Sequence, residues 1–374
     1  MNLSSSELSR YSRHLALPEI GLAGQERLKR ARVLMIGAGG LGAPALLYLA
    51  ASGVGTIGIV DFDRVDLSNL QRQVLYTVDD VGLPKAKVAA RRLKALNPDV
   101  DVHEHELVLR ADNIRDLFER YDVVIDGTDQ FATRYLVNDA CVLIGKPLVS
   151  AAIHRFEGQA VTYVPGTGCY RCLFPVPPSA GAIPNCADAG VLGVLPGVLG
   201  ALQATEAIKI ILGIGELLTN RLLTYDALTL RTGEFRFSRR EDCDICGEHP
   251  KIRELQDLAP VCSREELESI QHIHPRELAQ WRDGSELIVD VRRKTEFDVS
   301  HLDAAVNIPL DALAECLDEL AAAAKVLFVC RAGTRSLTAC QLAIAHGIKT
   351  PAHLGGGLLA WSREVQPGFV VAPA

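Results

Sequence analysis

The chain is 374 residues long, 48% hydrophobic and 23% charged, with a net charge of −7. That length suits two domains, one large and one small, each with enough apolar material for a core. A net-negative chain does not advertise the basic surface that releases counterions from a polyanion, which excludes nucleic acid as the main partner.

The first residues, Met1 to His14, are polar and serine-rich with no apolar h-region, and no later stretch offers the uninterrupted apolar run of a membrane span. The expectation is a cytoplasmic protein with no membrane partner. In that compartment ten cysteines do not form a disulfide framework, so metal binding and catalysis become the default readings for the paired ones.

From Ala31 to Gly37 an apolar β-type run ends in glycines, Leu41 to Ser52 reads as a helix, and Thr56 to Asp61 as a second strand. The helical stretch Lys85 to Leu96 and the apolar run Asp122 to Asp126, closing on Gly127-Thr128-Asp129, continue the alternation of a parallel α/β sheet. Residues 1–248 are thus predicted to form a Rossmann-like α/β domain, and residues 249–268, charged and proline-containing, a linker. Residues 269–374 begin a second, smaller α/β pattern, with strands at Glu286 to Val291 and Lys325 to Cys330 and a helix from Thr334 to His346.

Gly37-Ala38-Gly39-Gly40-Leu41-Gly42 fits G-x-G-x-x-G between a strand and a helix, where backbone N–H groups can approach a phosphate at the helix N-terminus. Asp61, at the end of the next strand, is placed to accept the ribose hydroxyls of a nucleotide. Such a pair also suits an NAD-dependent dehydrogenase, and the residues that follow separate the two. Ser68-Asn69-Leu70-Gln71-Arg72-Gln73, then Lys85 at a helix start and Asp129 at a strand end, supply phosphate donors and a hard carboxylate, as ATP with Mg²⁺ needs. Singly they read as surface charges, a helix cap and a turn residue.

In this order they resemble the ThiF/MoeB family of ubiquitin-activating-like enzymes over essentially all of residues 1–248. The resemblance implies that Gly40, Asp61, Ser68, Asn69, Arg72 and Lys85 bind ATP and that Asp129 holds Mg²⁺. It also implies a homodimer, because in the family the second arginine of Arg10-Tyr11-Ser12-Arg13 reaches the phosphates of the neighbouring subunit, which makes Arg13 catalytic in trans. Where relatives often have Asp-Asn, this chain has Asp129-Gln130, and no role carries over to residue 130.

Cys169-Tyr170-Arg171-Cys172 and Cys243-Asp244-Ile245-Cys246 are two C-x-x-C pairs that supply four thiolates for tetrahedral Zn²⁺ if the chain brings them together. Spacing alone leaves open two unrelated buried pairs or a redox dithiol. The family has the same pairs at these places, which implies a closed, structural zinc site. Cys186, in the glycine-containing stretch Pro184 to Gly193, matches the family's catalytic-cysteine segment, and the match implies a nucleophile. Cys141, Cys262, Cys316 and Cys340 carry no such context.

The strand ending at Cys330 runs into Arg331-Ala332-Gly333-Thr334-Arg335-Ser336 before a helix. Backbone N–H groups, a helix N-terminus and arginines in such a loop favour a reactive thiolate and cradle an anion above it. A cysteine phosphatase places its arginine six residues after the cysteine, but here that position is Ser336, and the shorter loop suits a persulfide sulfur better than a phosphate. The segment from about Ile273, with Asp290-Val291-Arg292, His301-Leu302 and Gly355 to Trp361, resembles single-domain rhodaneses.

Together the resemblances imply ATP-dependent adenylation of the C-terminal glycine of a ubiquitin-like sulfur carrier protein ending in Gly-Gly. A Cys330 persulfide, filled by a cysteine desulfurase or thiosulfate, would then give a thiocarboxylate, with Cys186 acting before or after it. The rival readings are an adenylyltransferase whose rhodanese half only docks another protein, and the dehydrogenase. The family serves molybdenum cofactor biosynthesis, thiamine synthesis, tRNA thiolation and other sulfur pathways, and no short motif selects among them.

Overall fold

The computed structural model describes residues 3–177, 190–258 and 269–372, which form two compact units. The first is built from the chain up to Pro177 and from Val191–Leu258, the second from the residues after 268. Of the expected linker, residues 259–268 lie outside the described residues.

The first unit holds an eight-stranded sheet of β1 (Arg32–Ile36), β2 (Thr56–Val60), β3 (Asp101–His105), β4 (Val123–Asp126), β5 (Leu148–His154), β6 (Glu157–Tyr163), β7 (Arg221–Asp226) and β8 (Arg231–Arg236). Their order is β3-β2-β1-β4-β5-β6-β7-β8. Pairing is parallel from β3 across to β5 and antiparallel from β5 to β8, so the sheet is mixed where the sequence suggested a parallel one. The central strands are apolar on both sides because both faces are covered. Val33 and Met35 of β1 meet the helices Gly42–Ala51, Lys85–Leu96 and Leu195–Leu212 through residues such as Leu46, Leu93 and Ala204. Leu34 and Ile36 point the other way, onto Phe118 and Leu136 of the helices Ile114–Phe118 and Phe131–Ile144.

The chain runs from β1 outward to β3 and then returns to the far side of β1 as β4. The crevice between the carboxyl ends of β1 and β4 is therefore a topological switch point, where open α/β sheets bind ligands.

One expectation needs correction. The helix Leu195–Leu212 is long and apolar enough, by length and composition, to cross a bilayer. Here it packs across the sheet, with half of it buried, and Glu206 within it accepts from Thr162 Oγ1 at 2.6 Å and from the Leu218 N–H at 2.8 Å. Its apolar surface reflects core packing.

In the second unit β9 (Gln271–Ile273), β10 (Glu286–Asp290), β11 (Ala305–Asn307), β12 (Lys325–Val329) and β13 (Ala352–Leu354) form one parallel sheet in the order β11-β10-β12-β13-β9. The helices Leu313–Leu320 and Thr334–Ala345 cover one face, around Phe328 and Val289, and Leu358 of the helix Gly357–Glu364 joins Leu327 and Val329 on the other.

Candidate active sites and metal centre

The glycine loop leaves β1 at the switch point. Gly37 adopts a φ of +85°, and a Cβ at Gly42 would lie 2.0 Å from the Gly37 carbonyl oxygen, so the turn closes onto the helix only with glycine there. Tyr76 pins the loop from below, its hydroxyl donating to the Ala38 carbonyl at 2.8 Å.

Asp61, just past β2, accepts from the Ala38 and Asp63 N–H groups, each at 2.8 Å. Burial pushes its carboxyl up to about 6, the charge of Asp63 adding and that of Lys85 opposing. Lys85 is buried at the start of its helix with Nζ 3.0 Å from Asp63 Oδ2. Burial alone would lower its pKa, but the carboxylates of Asp63 and Asp61 prevail and raise it. The ammonium is held charged beside Asp61 and Asp63 at the glycine loop.

Ser68 and Asn69 lie in a short 3₁₀ turn, Leu67–Asn69, whose next residues bring Arg72 and Gln73 to the glycines. A Cβ at Gly40 would stand 3.6 Å from Arg72 Cγ, and one at Gly39 would stand 3.5 Å from Gln73 Nε2. The Ser68 hydroxyl donates to Asp66 Oδ1 at 2.5 Å, and its carbonyl accepts from Arg72 at 3.1 Å, so Ser68 braces the turn. Asp129 follows the end of β4 and acts electrostatically on Lys85. Gly40, Asp61, Arg72, Lys85 and Asp129 thus lie around the crevice, with Asn69 on the turn that leads to Arg72. Arg13 does not join them: it is exposed on the helix Ser12–Leu15, with no hydrogen bond or ion pair to the glycine loop among the described residues. Cys186 lies outside the described residues. Asp63, which anchors Lys85, was not singled out in the sequence, where nothing but its place two residues after Asp61 could have marked it.

The two C-x-x-C pairs do come together. The sulfurs of Cys169, Cys172, Cys243 and Cys246 all lie within 4.8 Å of one another, with Cys169–Cys243 at 3.7 Å and Cys172–Cys246 at 3.4 Å. A tetrahedral zinc with Zn–S bonds of ~2.3 Å sets its sulfurs ~3.8 Å apart, so the donor set fits. The Arg240 N–H donates to Cys172 Sγ at 3.4 Å and so orients that sulfur within the cluster.

In the second unit β12 delivers Cys330, fully buried, to a loop that ends at the N-terminus of the helix Thr334–Ala345. The Gly333 N–H donates to Cys330 Sγ at 3.1 Å, and Ser336 Oγ lies 3.4 Å from the same sulfur. Of the expected N–H groups, that of Gly333 reaches the sulfur. Arg335 of the same loop forms a two-pronged ion pair with Glu296, both contacts 2.8 Å, which fixes the loop. Beside it Arg292 grips Asp290 and the Ser300 carbonyl, tying the end of β10 to the segment before β11. Sequence spacing gave no sign of Glu296, since its partner lies 39 residues away.

The ThiF family model matches residues 11–245, and the model of the rhodanese-like domain matches residues 274–364. The probable adenylyltransferase/sulfurtransferase MoeZ of Mycobacterium tuberculosis is 48% identical, across 99% of this chain and 96% of its own. The adenylyltransferase and sulfurtransferase MOCS3 of Aedes aegypti is 42% identical, across 99% and 90%. The sulfur carrier protein adenylyltransferase of Thermus thermophilus is 52% identical, across 70% of this chain and 99% of its own. Among solved structures, that of E. coli MccB with ATP superposes with a TM-score of 0.56 at 28% identity, covering 65% of this chain and 75% of that one.

Proposed function

Because the chain belongs to the ThiF family and carries a rhodanese-like domain, we propose that it adenylates the C-terminal glycine of a ubiquitin-like sulfur carrier protein and then places sulfur on it from Cys330. The observation that carries this reading is the presence, in one chain, of a crevice charged by Lys85 and a buried cysteine whose sulfur accepts from the Gly333 N–H at the start of a helix.

The glycine loop at Gly40 takes the phosphates, Asp61 the ribose hydroxyls, and Asn69, Arg72 and Lys85 steady the charge that builds as the carrier carboxylate attacks the α-phosphate. An acyl adenylate and pyrophosphate result. Asp129 is the carboxylate that would hold Mg²⁺, which supplies charge neutralisation at the phosphates. Ser68 supports the turn that presents Asn69 and Arg72. In a homodimer Arg13 would serve the partner subunit's crevice. The four-cysteine cluster would hold zinc as a structural clamp.

A persulfide on Cys330 then attacks the acyl carbon, expels AMP and leaves carrier and enzyme joined through an acyl disulfide. Cys186 thiolate attacks the Cys330 sulfur, the S–S bond breaks, and the carrier departs as a thiocarboxylate. The Cys186–Cys330 disulfide is reopened by an external dithiol. If Cys186 takes the acyl group first, as a thioester, the persulfide attacks that instead. A cysteine desulfurase or thiosulfate serves as sulfur donor.

Intact-mass spectrometry of candidate carriers after incubation with the full chain, ATP·Mg²⁺ and a sulfur source tests this. One carrier exchanges an oxygen for a sulfur with the native protein and not with Cys330→Ala. Exchange that survives Cys330→Ala would reduce the rhodanese half to a docking module.

A further inference from the structure

Cys330 is fully buried, and its thiol must lose a proton to become the nucleophile that accepts sulfur. The loop offers a way out. Cys330 Sγ lies 3.4 Å from Ser336 Oγ, Ser336 Oγ lies 3.4 Å from His353 Nδ1, and His353 Nε2 lies 2.7 Å from His272 Nδ1. Ser336 is fully buried and His353 nearly so, whereas His272 is exposed. The contacts therefore run from the sulfur, beneath the loop, through β13 to the surface at β9, where His353 and His272 are register partners.

We propose that Ser336, His353 and His272 form the path by which the Cys330 proton leaves when sulfur is loaded and returns when it is released. This rests on the reading of Cys330 as the sulfur carrier. The Ser336 hydroxyl has two acceptors in reach, the Gly333 carbonyl at 2.9 Å and His353 Nδ1, so turning its proton to the imidazole frees an oxygen lone pair for the thiol proton. As the S–H bond breaks, Ser336 gains that proton and passes its own to His353 Nδ1. His353 gives its Nε2 proton to His272 Nδ1, and His272 releases its Nε2 proton to water. Both rings exchange tautomers and end neutral. The thiolate then attacks the outer sulfur of the donor, the new S–S bond forms as the donor's S–S bond breaks, and the donor leaves with the electron pair.

The surroundings suit transit rather than storage. Burial, with the charge of His272 adding, pushes His353 down to about 4, so it stays neutral at physiological pH and conducts through its two nitrogens. From the neighbouring elements the titratable groups against it are Cys330, through Ser336, and His272. Arg335, on the same helix as Ser336, is neutralised by Glu296.

The test uses the full chain with thiosulfate as sulfur source, scoring Cys330 persulfide by quench and intact mass, and Cys330 alkylation by iodoacetamide across pH. Ser336→Ala and His353→Gln should slow loading by about tenfold or more and move the alkylation profile to higher pH. Ser336→Thr, which keeps the hydroxyl, should restore both. His272→Ala, at an exposed site that folding tolerates, should slow loading and recover with added imidazole. Loading rates and alkylation profiles equal to wild type in His272→Ala and Ser336→Ala would overturn the path while leaving sulfur transfer intact. A native protein whose Cys330 takes up no sulfur would overturn the underlying reading instead.

Discussion

Single side chains in both units work as pairs whose charge states set the pH range of the enzyme. Asp61 is pushed up to about 6 by burial, and only its ionised form can accept the Ala38 and Asp63 N–H groups together with ribose hydroxyls. Adenosine, which has no phosphate to titrate, should therefore bind progressively more weakly as pH falls through about 6, and Asp61→Asn should bind weakly with a flat profile; calorimetry across pH reads this directly. In the second unit burial would raise the Glu296 pKa, but the hydrogen bonds and charge of Arg335 prevail and hold it below 4.5. The stability this pair contributes is present above that value and lost as pH falls through the depressed one. Glu296→Ala removes both prongs of this buried ion pair and should cost about 3 kcal/mol, seen in denaturant melts of the full chain as earlier loss of the second unit. Asp61 and Lys85 were legible because a spacing or an ordered motif marks them. Asp63 and Glu296 were not, since an ion-pair partner is chosen by the fold and carries no pattern of its own.

At the scale of elements, the helix Lys85–Leu96 was predicted at its observed bounds, and the strands and helices around the glycine loop and Cys330 to within one residue at each end. Those segments are apolar runs closed by glycines or charged residues, where the local pattern and the fold agree. The hairpins β5 to β8 were not singled out: β8 is exposed along its whole length, so no buried face writes an alternation into its sequence. The clamp on that half is the cysteine cluster, which ties the segment before β7 to the one after β8 across 74 residues. Stripping the bound metal with a chelator should lower the melting temperature of the first unit and leave the second unchanged, with zinc, measured by emission spectrometry, released at about one per chain. Closer to the crevice, a Cβ at Gly193 would meet Gln71 Oε1 at 2.3 Å and the Gln71 carbonyl oxygen at 2.4 Å. The carbonyl cannot yield without moving the turn that carries Asn69 and Arg72, so Gly193→Ala should raise the KM for ATP more than it lowers kcat in carrier-dependent ATP–pyrophosphate exchange.

At the scale of the whole molecule, the proposed role of Arg13 in trans would require two chains for one adenylating site. Arg13 is exposed, its short helix is anchored through the neighbouring Tyr11, whose hydroxyl accepts from Asn97 at 2.8 Å, and among the described residues it makes no hydrogen bond or ion pair to the glycine loop. In the proposed homodimer a second copy would bring its crevice to this arginine. An isologous dimer does that twice, each chain lending Arg13 and receiving the partner subunit's Arg13. Arg13→Ala and Lys85→Ala should each abolish carrier-dependent ATP–pyrophosphate exchange alone. Unfolded together and refolded as a mixture, half the dimers carry one of each chain, and in those the crevice that keeps Lys85 also receives an intact Arg13. About a quarter of the native exchange should return. If Arg13 served its own crevice, every site in the mixture would still lack one of the two cations and no activity would appear.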